Sequence, residues 1–150
     1  MITVMRVLAA MTICLFQPSA TWSEAPNLDM PSKQSEYGEI DAVGLKILLD
    51  TKTPLDLLDA RKDKYFKGTL IPGAKRLPSD STEEQMASLL PDKQKLIVVY
   101  CAGKGCSASK TLSEALVKAD YKNVMEFPGG EKDWKAKGFE LVSSEKKDDK

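Results

Sequence analysis

The sequence contains no histidine, and that absence excludes a good deal of chemistry. It removes the Ser-His-Asp and Cys-His nucleophiles, His-ligated zinc and any imidazole general base. Net charge is missing too: 22 Lys+Arg stand against 22 Asp+Glu, which argues against nucleic acid or an anionic membrane surface as the principal partner. Cysteine is scarce, with 3 in the whole chain. Two of these without histidine make a poor closed metal site, so neither a metal nor another cofactor is expected. What remains is ordinary. A chain of 150 residues, 42% hydrophobic and 29% charged, suits one globular domain with a real core. Its chemistry must rest on Cys, Lys, Arg or carboxylates.

The first residues read as a leader. Residues 1–16 carry one cation, Arg6, ahead of the apolar run from Val7 to Phe16, and Pro18, Ser19 and Ala20 follow. A basic start, a short apolar core and small residues behind it predict a secretory signal over residues 1–23, cut after Ala20 or Ser23. A retained membrane anchor is the alternative. The run falls short of the roughly 20 residues that a span needs, so no stable membrane insertion is expected after the signal is removed. Cys14 leaves with the leader, and the mature chain has 21 basic against 22 acidic residues. Its two cysteines, Cys101 and Cys106, then face an oxidising compartment, periplasmic or secreted, where pairs tend to form disulfides.

Residues 24–36, with Pro26 and Pro31 and no apolar periodicity, predict a linker. Residues 143–150 are Ser, Glu, Lys and Asp only and predict a solvated tail. The domain between them, 37–142, alternates two rhythms. Val43, Leu45, Ile47, Leu48 and Leu49 form a helical cluster opening near Asp41. Residues 55–58 read as a short strand. A capping box over residues 81–84 leads into Met86, Leu89 and Leu90, and Pro91 stops that helix. Residues 96–100, Leu-Ile-Val-Val-Tyr, are continuous, apolar and rich in β-branched side chains, the mark of a strand buried on both faces. A helix over 107–119, a strand over 124–127 and a short helix over 131–137 complete the series. Strands alternating with helices predict an α/β fold with a mostly parallel central sheet and helices on both faces.

In such a sheet ligands bind beyond the carboxyl ends of the strands. The buried strand ends at Cys101, and Cys101-Ala102-Gly103-Lys104-Gly105-Cys106 bridges it to a helix starting near Ser107. Two glycines let this loop curl so that its N–H groups point inward as an anion-binding nest, and the helix start adds to that field. A thiol at its centre is expected to ionise readily. Lowering its pKa by about two units, or roughly 2.7 kcal/mol, makes the thiolate the major form at neutral pH.

Four segments in order resemble the single-domain rhodaneses, a sulfurtransferase family. Leu57-Leu58-Asp59-Ala60-Arg61 is similar to the family's strand ending in Asp-x-Arg. Residues 65–74, closing at Leu77-Pro78, are similar to its Gly-His-Ile-Pro-Gly-Ala segment. Val98-Val99-Tyr100-Cys101 precedes the loop as in the family, and residues 121–130 lead through Gly129-Gly130 to Trp134 as its ending does. The resemblance implies a Cys101 thiolate that takes the outer sulfur of a small anionic donor such as thiosulfate, leaving sulfite. The persulfide then passes to cyanide or another thiophilic acceptor, a thiol or a protein. Ala102, Gly103, Lys104, Gly105, Cys106 and Ser107 would line the loop, and Arg61 could point toward its mouth. Asp59, Arg76, Trp134 and the glycine pair read as architectural otherwise, and Lys46, Lys62, Lys64 and Lys67 as a solvated surface.

The chain also departs from the family. Cys106 stands where the family often has Arg, which should weaken binding of doubly charged donors, with Lys104 a less directional substitute. Ser107 occupies the position where phosphatase relatives need Arg, which argues against phosphatase activity. Thr69 replaces the family's His and is expected to face solvent, in a segment one residue longer than usual. Cys106 supports a competing reading, a thiol–disulfide redox protein using the Cys101/Cys106 pair. A non-catalytic rhodanese module that binds a partner protein is the third, and the intact Cys101 counts against it.

Overall fold

The computed structural model describes residues 37–144. The expected signal over 1–23 and linker over 24–36 lie outside the described residues. Among those described, no helix is long and apolar enough to cross a membrane.

The elements run β1 (Gly38–Glu39), α1 (Ala42–Asp50), β2 (Leu55–Asp59), a 3-10 turn (Asp63–Tyr65), β3 (Thr69–Leu70) and β4 (Lys75–Arg76). They continue through α2 (Glu83–Leu89), β5 (Leu96–Tyr100), α3 (Ala108–Lys118), β6 (Asn123–Phe127), α4 (Gly130–Ala136) and β7 (Val142–Ser143). Five strands pair in the order β1-β6-β5-β2-β4, all parallel, while β3 and β7 form a separate antiparallel pair. The α/β expectation holds.

Strand β5 explains the layering. Its side chains alternate, so Ile97 and Val99 join Leu112 and Leu116 of α3 and Met86 of α2 on one face of the sheet. Val98 and Tyr100 join Ala42 and Leu45 of α1 and Trp134 of α4 on the other. Both faces are covered, as a parallel sheet requires. Trp134 is anchored further: its indole N–H donates to the Glu140 carbonyl at 2.8 Å, and its ring meets Phe139 edge-on with centroids 4.8 Å apart.

Local chemistry sets the helix starts. Asp41 caps α1 by accepting from the Gly44 amide at 2.7 Å. At α2 the capping box sits one residue later than the sequence suggests, on Thr82 and Gln85. Both frames carry a Ser/Thr followed three residues later by Glu or Gln, so the motif alone does not select between them.

The expected tail at 143–150 needs correction. Ser143 pairs with Thr69 in the β3–β7 ladder, and the Ser144 amide donates to the Gly68 carbonyl at 2.9 Å. These two residues belong to the fold, and the rest of the tail lies outside the described residues. Thr69 is also not solvent-facing. It is half-buried, and its hydroxyl donates to Glu131 Oε2 at 3.2 Å.

Register places the site. Asp59, Tyr100 and Phe127 end β2, β5 and β6 and stand level with one another. The loops that leave after them therefore emerge side by side at one edge of the sheet.

Candidate active site

Cys101 is fully buried at the carboxyl end of β5, the middle strand of the five. The loop beyond it is held from the neighbouring strand's exit. The first amides of α4 reach across, with Glu131 N donating to the Cys101 carbonyl at 3.0 Å and Lys132 N to the Ala102 carbonyl at 3.1 Å. In a trans peptide the C=O and the following N–H point to opposite sides. Anchoring those two carbonyls on α4 thus turns the amides of Ala102 and Gly103 the other way, toward the sulfurs. The Gly103 amide acts on Cys101 and the Ala102 amide on Cys106.

This docking explains Gly130. Its φ is +57°, and a Cβ there would lie 2.4 Å from the Cys101 carbonyl oxygen and 2.7 Å from the Gly103 nitrogen. Only a residue without a side chain lets α4 approach the loop so closely.

Around Cys101 Sγ the polar atoms are mixed. The sulfur lies 3.4 Å from the Cys106 carbonyl and 3.9 Å from that of Gly103, toward which the thiol can donate. The Ser109 hydroxyl reaches Sγ at 3.4 Å and Glu126 Oε1 at 2.7 Å. It has one proton for two acceptors. Ser109 is fully buried and Glu126 nearly so, and Tyr37 faces the same carboxylate. Burial and Glu126 push the Tyr37 hydroxyl up to about 12, so it stays protonated. Neither Ser109 nor Glu126 was marked as functional by the sequence. The available signal was an acid inside the strand Asn-Val-Met-Glu-Phe, which needs a polar partner once that strand is buried.

The expected low pKa of Cys101 is not what this environment produces. Burial pushes the Cys101 thiol up and the neighbouring Cys106 adds to the rise, more than the Ser109 hydroxyl and the Gly103 and Ser109 amides offset. Cys106 behaves oppositely. Burial opposes its charge as well, but Cys101, the Ala108 and Ala102 amides and the field of Arg61 bring it below an ordinary thiol. Cys106, the thiol held lower, is half-buried where Cys101 is sealed.

The remaining predicted site residues fall into two groups. Ala102 and Gly103 form the inner wall of the loop, with Cys106 beside them, and the Cys106 amide closes a turn on the Gly103 carbonyl at 3.0 Å. Lys104, Gly105 and Ser107 stand exposed at the rim. Ser107 precedes α3 without a side-chain cap, and the first helix amides, those of Ala108 and Ser109, act on the two sulfurs instead.

Arg61 spends its donors on the protein itself rather than on the sulfur mouth. It is 2% exposed, with Nε and Nη2 on the Asp59 carboxylate, Nη1 on Glu131 Oε2 at 2.5 Å and Nη2 on the Thr69 carbonyl at 2.6 Å. Burial works against its charge, and the Asp59 and Glu131 carboxylates outweigh that and raise its pKa. It braces β2 against α4 and β3 and reaches Cys106 only through its field. Its partner Glu131 lies 70 residues away in sequence. The other architectural readings agree with the geometry. Arg76 stacks on Phe66 at 4.0 Å and donates to the Arg61 carbonyl, and Lys46 and Lys62 pair with Asp50 and Asp80 near the surface.

A family model of the rhodanese-like domain matches residues 41–137. Among solved structures, a Bacillus halodurans protein shares the fold with a TM-score of 0.65 and 24% identity, over 71% of this chain and 77% of its own. The rhodanese-like domain of an Anabaena protein aligns at 29% identity with a TM-score of 0.60, covering 75% of this chain and 84% of that one. A thiosulfate sulfurtransferase from Pseudomonas aeruginosa aligns at 25% identity with a TM-score of 0.60, over 72% of this chain and 20% of its own. Among curated proteins none matches. With most of its described residues inside the matched region, and with the sheet order, the Cys101 loop and the Gly129-Gly130 turn in place, this chain belongs to the rhodanese-like domain family.

Proposed function

We propose that the protein is a sulfurtransferase in which Cys101 carries the transferred sulfur. The donor is a small anion with a terminal sulfane sulfur, thiosulfate being the simplest. The acceptor is thiophilic, such as cyanide or a thiol. The observation that carries this reading is the pair of peptides after Cys101, whose carbonyls are tied to α4 so that their amides turn toward sulfur. Charge developing on a sulfur there meets N–H donors that need no rearrangement, together with the Ser109 hydroxyl.

The step proceeds in two parts. Cys101 first gives up its thiol proton. The Cys101 thiolate then attacks the outer sulfur of thiosulfate, the S–S bond of the donor breaks, and sulfite leaves with the bond's electron pair. A Cys101 persulfide remains. Lys104 at the rim and the positive end of α3 favour the approach of an anion. We further propose that the protein is exported, on the basic-apolar-small pattern of its first 23 residues.

Intact mass of the reduced protein before and after thiosulfate, with sulfite measured in the same tube, tests the reading. Wild type releases sulfite, and Cys101→Ser releases none. With Cys106→Ser, one sulfur atom is added to the chain and cyanide removes it. Sulfite release by Cys101→Ser at the wild-type level would refute the assignment.

A further inference from the structure

Cys106 is more than a substitute at a loop position. It shares a six-residue loop with Cys101, its own carbonyl lies 3.4 Å from Cys101 Sγ, and a turn closed on Gly103 folds it back over the strand end. The two thiols are near enough for each to alter the other's ionisation, yet both are free. Of the two, Cys106 is the one that reaches solvent. A nucleophilic thiol therefore stands beside the sulfur that becomes a persulfide.

We propose that Cys106 resolves the Cys101 persulfide, so that the protein releases the sulfur it accepts as hydrosulfide and is left with a Cys101–Cys106 disulfide. The inference rests on the sulfurtransferase reading and names the fate of the sulfur at that same site. In the step, Cys106 Sγ attacks Cys101 Sγ, the inner sulfur of the persulfide. The Cys101–sulfane bond breaks, and its electron pair leaves on the outer sulfur. The proton given up by Cys106 ends on that sulfur, so hydrosulfide departs. Two cysteines are oxidised by two electrons, and the sulfane sulfur is reduced by two. An external dithiol returns the disulfide to the two thiols. The acceptor under turnover is then a dithiol reductant, and the overall reaction converts thiosulfate and a dithiol to sulfite, hydrosulfide and a disulfide.

The test is a single turnover. Fully reduced full-length protein, freed of reductant under anaerobic conditions, receives excess thiosulfate, and sulfite, hydrosulfide and intact mass are read together. The expected result for wild type is one sulfite and one hydrosulfide per chain, with a mass lower by two hydrogens. Cys106→Ser gives sulfite without hydrosulfide and keeps one added sulfur. Dithiothreitol then restores repeated hydrosulfide release in wild type at least tenfold faster than in Cys106→Ser. Sulfite with one stable added sulfur in wild type overturns the resolving role while leaving sulfur transfer intact. So does transfer of the added sulfur to Cys106, located by peptide mapping. No sulfite from either protein overturns the sulfurtransferase reading itself.

Discussion

Replacing Gly130 by alanine adds one methyl group between α4 and the Cys101 loop. The ideal methyl position is 2.4 Å from the Cys101 carbonyl oxygen, 2.7 Å from the Gly103 nitrogen and 3.0 Å from the Ala102 carbonyl carbon. All three are backbone atoms, so no side chain can swing aside. Ordinary contact requires the loop to withdraw by about 1 Å. That movement sacrifices the two hydrogen bonds from Glu131 N and Lys132 N, each worth about 1 kcal/mol. The positive φ of +57° adds about 1 kcal/mol for any residue with a Cβ. Together these predict a loss of about 4–6 kcal/mol, once overpacking is included, from a domain whose whole stability is of order 5–15 kcal/mol. Gly138 provides the control. Its φ is +77° with no atom within 4 Å of the added methyl, so Gly138→Ala meets only the conformational strain, about 1 kcal/mol. Urea unfolding of both reduced variants, with sulfite release from thiosulfate measured alongside, separates the two effects. Gly130→Ala should unfold at much lower urea and lose sulfite release, and Gly138→Ala should keep it. Equal midpoints with equal slopes would refute the claim that close approach to the loop is what requires glycine at 130.

The coupling between the thiols makes a second prediction with a definite sign. Cys106 is among the causes that raise Cys101, so Cys106→Ser should shift the pH midpoint of Cys101 alkylation by iodoacetamide downward, while in wild type Cys106 reacts first and below the ordinary thiol range; an upward shift contradicts the arrangement. Arg61→Met leaves Asp59 and Glu131 without their shared cation and should cost about 3–5 kcal/mol in denaturant unfolding at neutral pH. A cost below about 1 kcal/mol would show that the buried ion pairs do little to hold β2 against α4.

The three five-residue strands and the order of the helices are legible because each carries its own signal. Residues 96–100 bury both faces and are apolar throughout, and α1 and α2 announce themselves by their caps. The two-residue strands are not legible. Gly38–Glu39, Lys75–Arg76 and Val142–Ser143 are too short to show a period of two, and they are strands only because a partner lies beside them. The site divides in the same way. Cys101 and its loop are visible since strand end, glycines and helix start are contiguous. The Ser109–Glu126 contact and the Arg61–Glu131 pair join distant residues through the sheet's crossovers, and no local pattern encodes them. Arg61 shows the hazard: a cation two residues after a strand-end Asp fits either a substrate clamp or a brace, and Glu131 decides for the brace. The expected acidity of Cys101 failed for a related reason. The nest was read from the loop, while the burial that opposes it comes from the whole domain.

The place of β6 in the sheet has a consequence for biosynthesis. It lies between β1 and β5, so the first strand of the domain has no neighbour until β6, late in the domain, has been made. The amides that hold the Cys101 loop arrive later still, on α4. A nascent chain emerging from the ribosome thus carries Cys101 and Cys106 as ordinary reactive thiols. They acquire their protected, mutually tuned surroundings only when β6 and α4 close the domain.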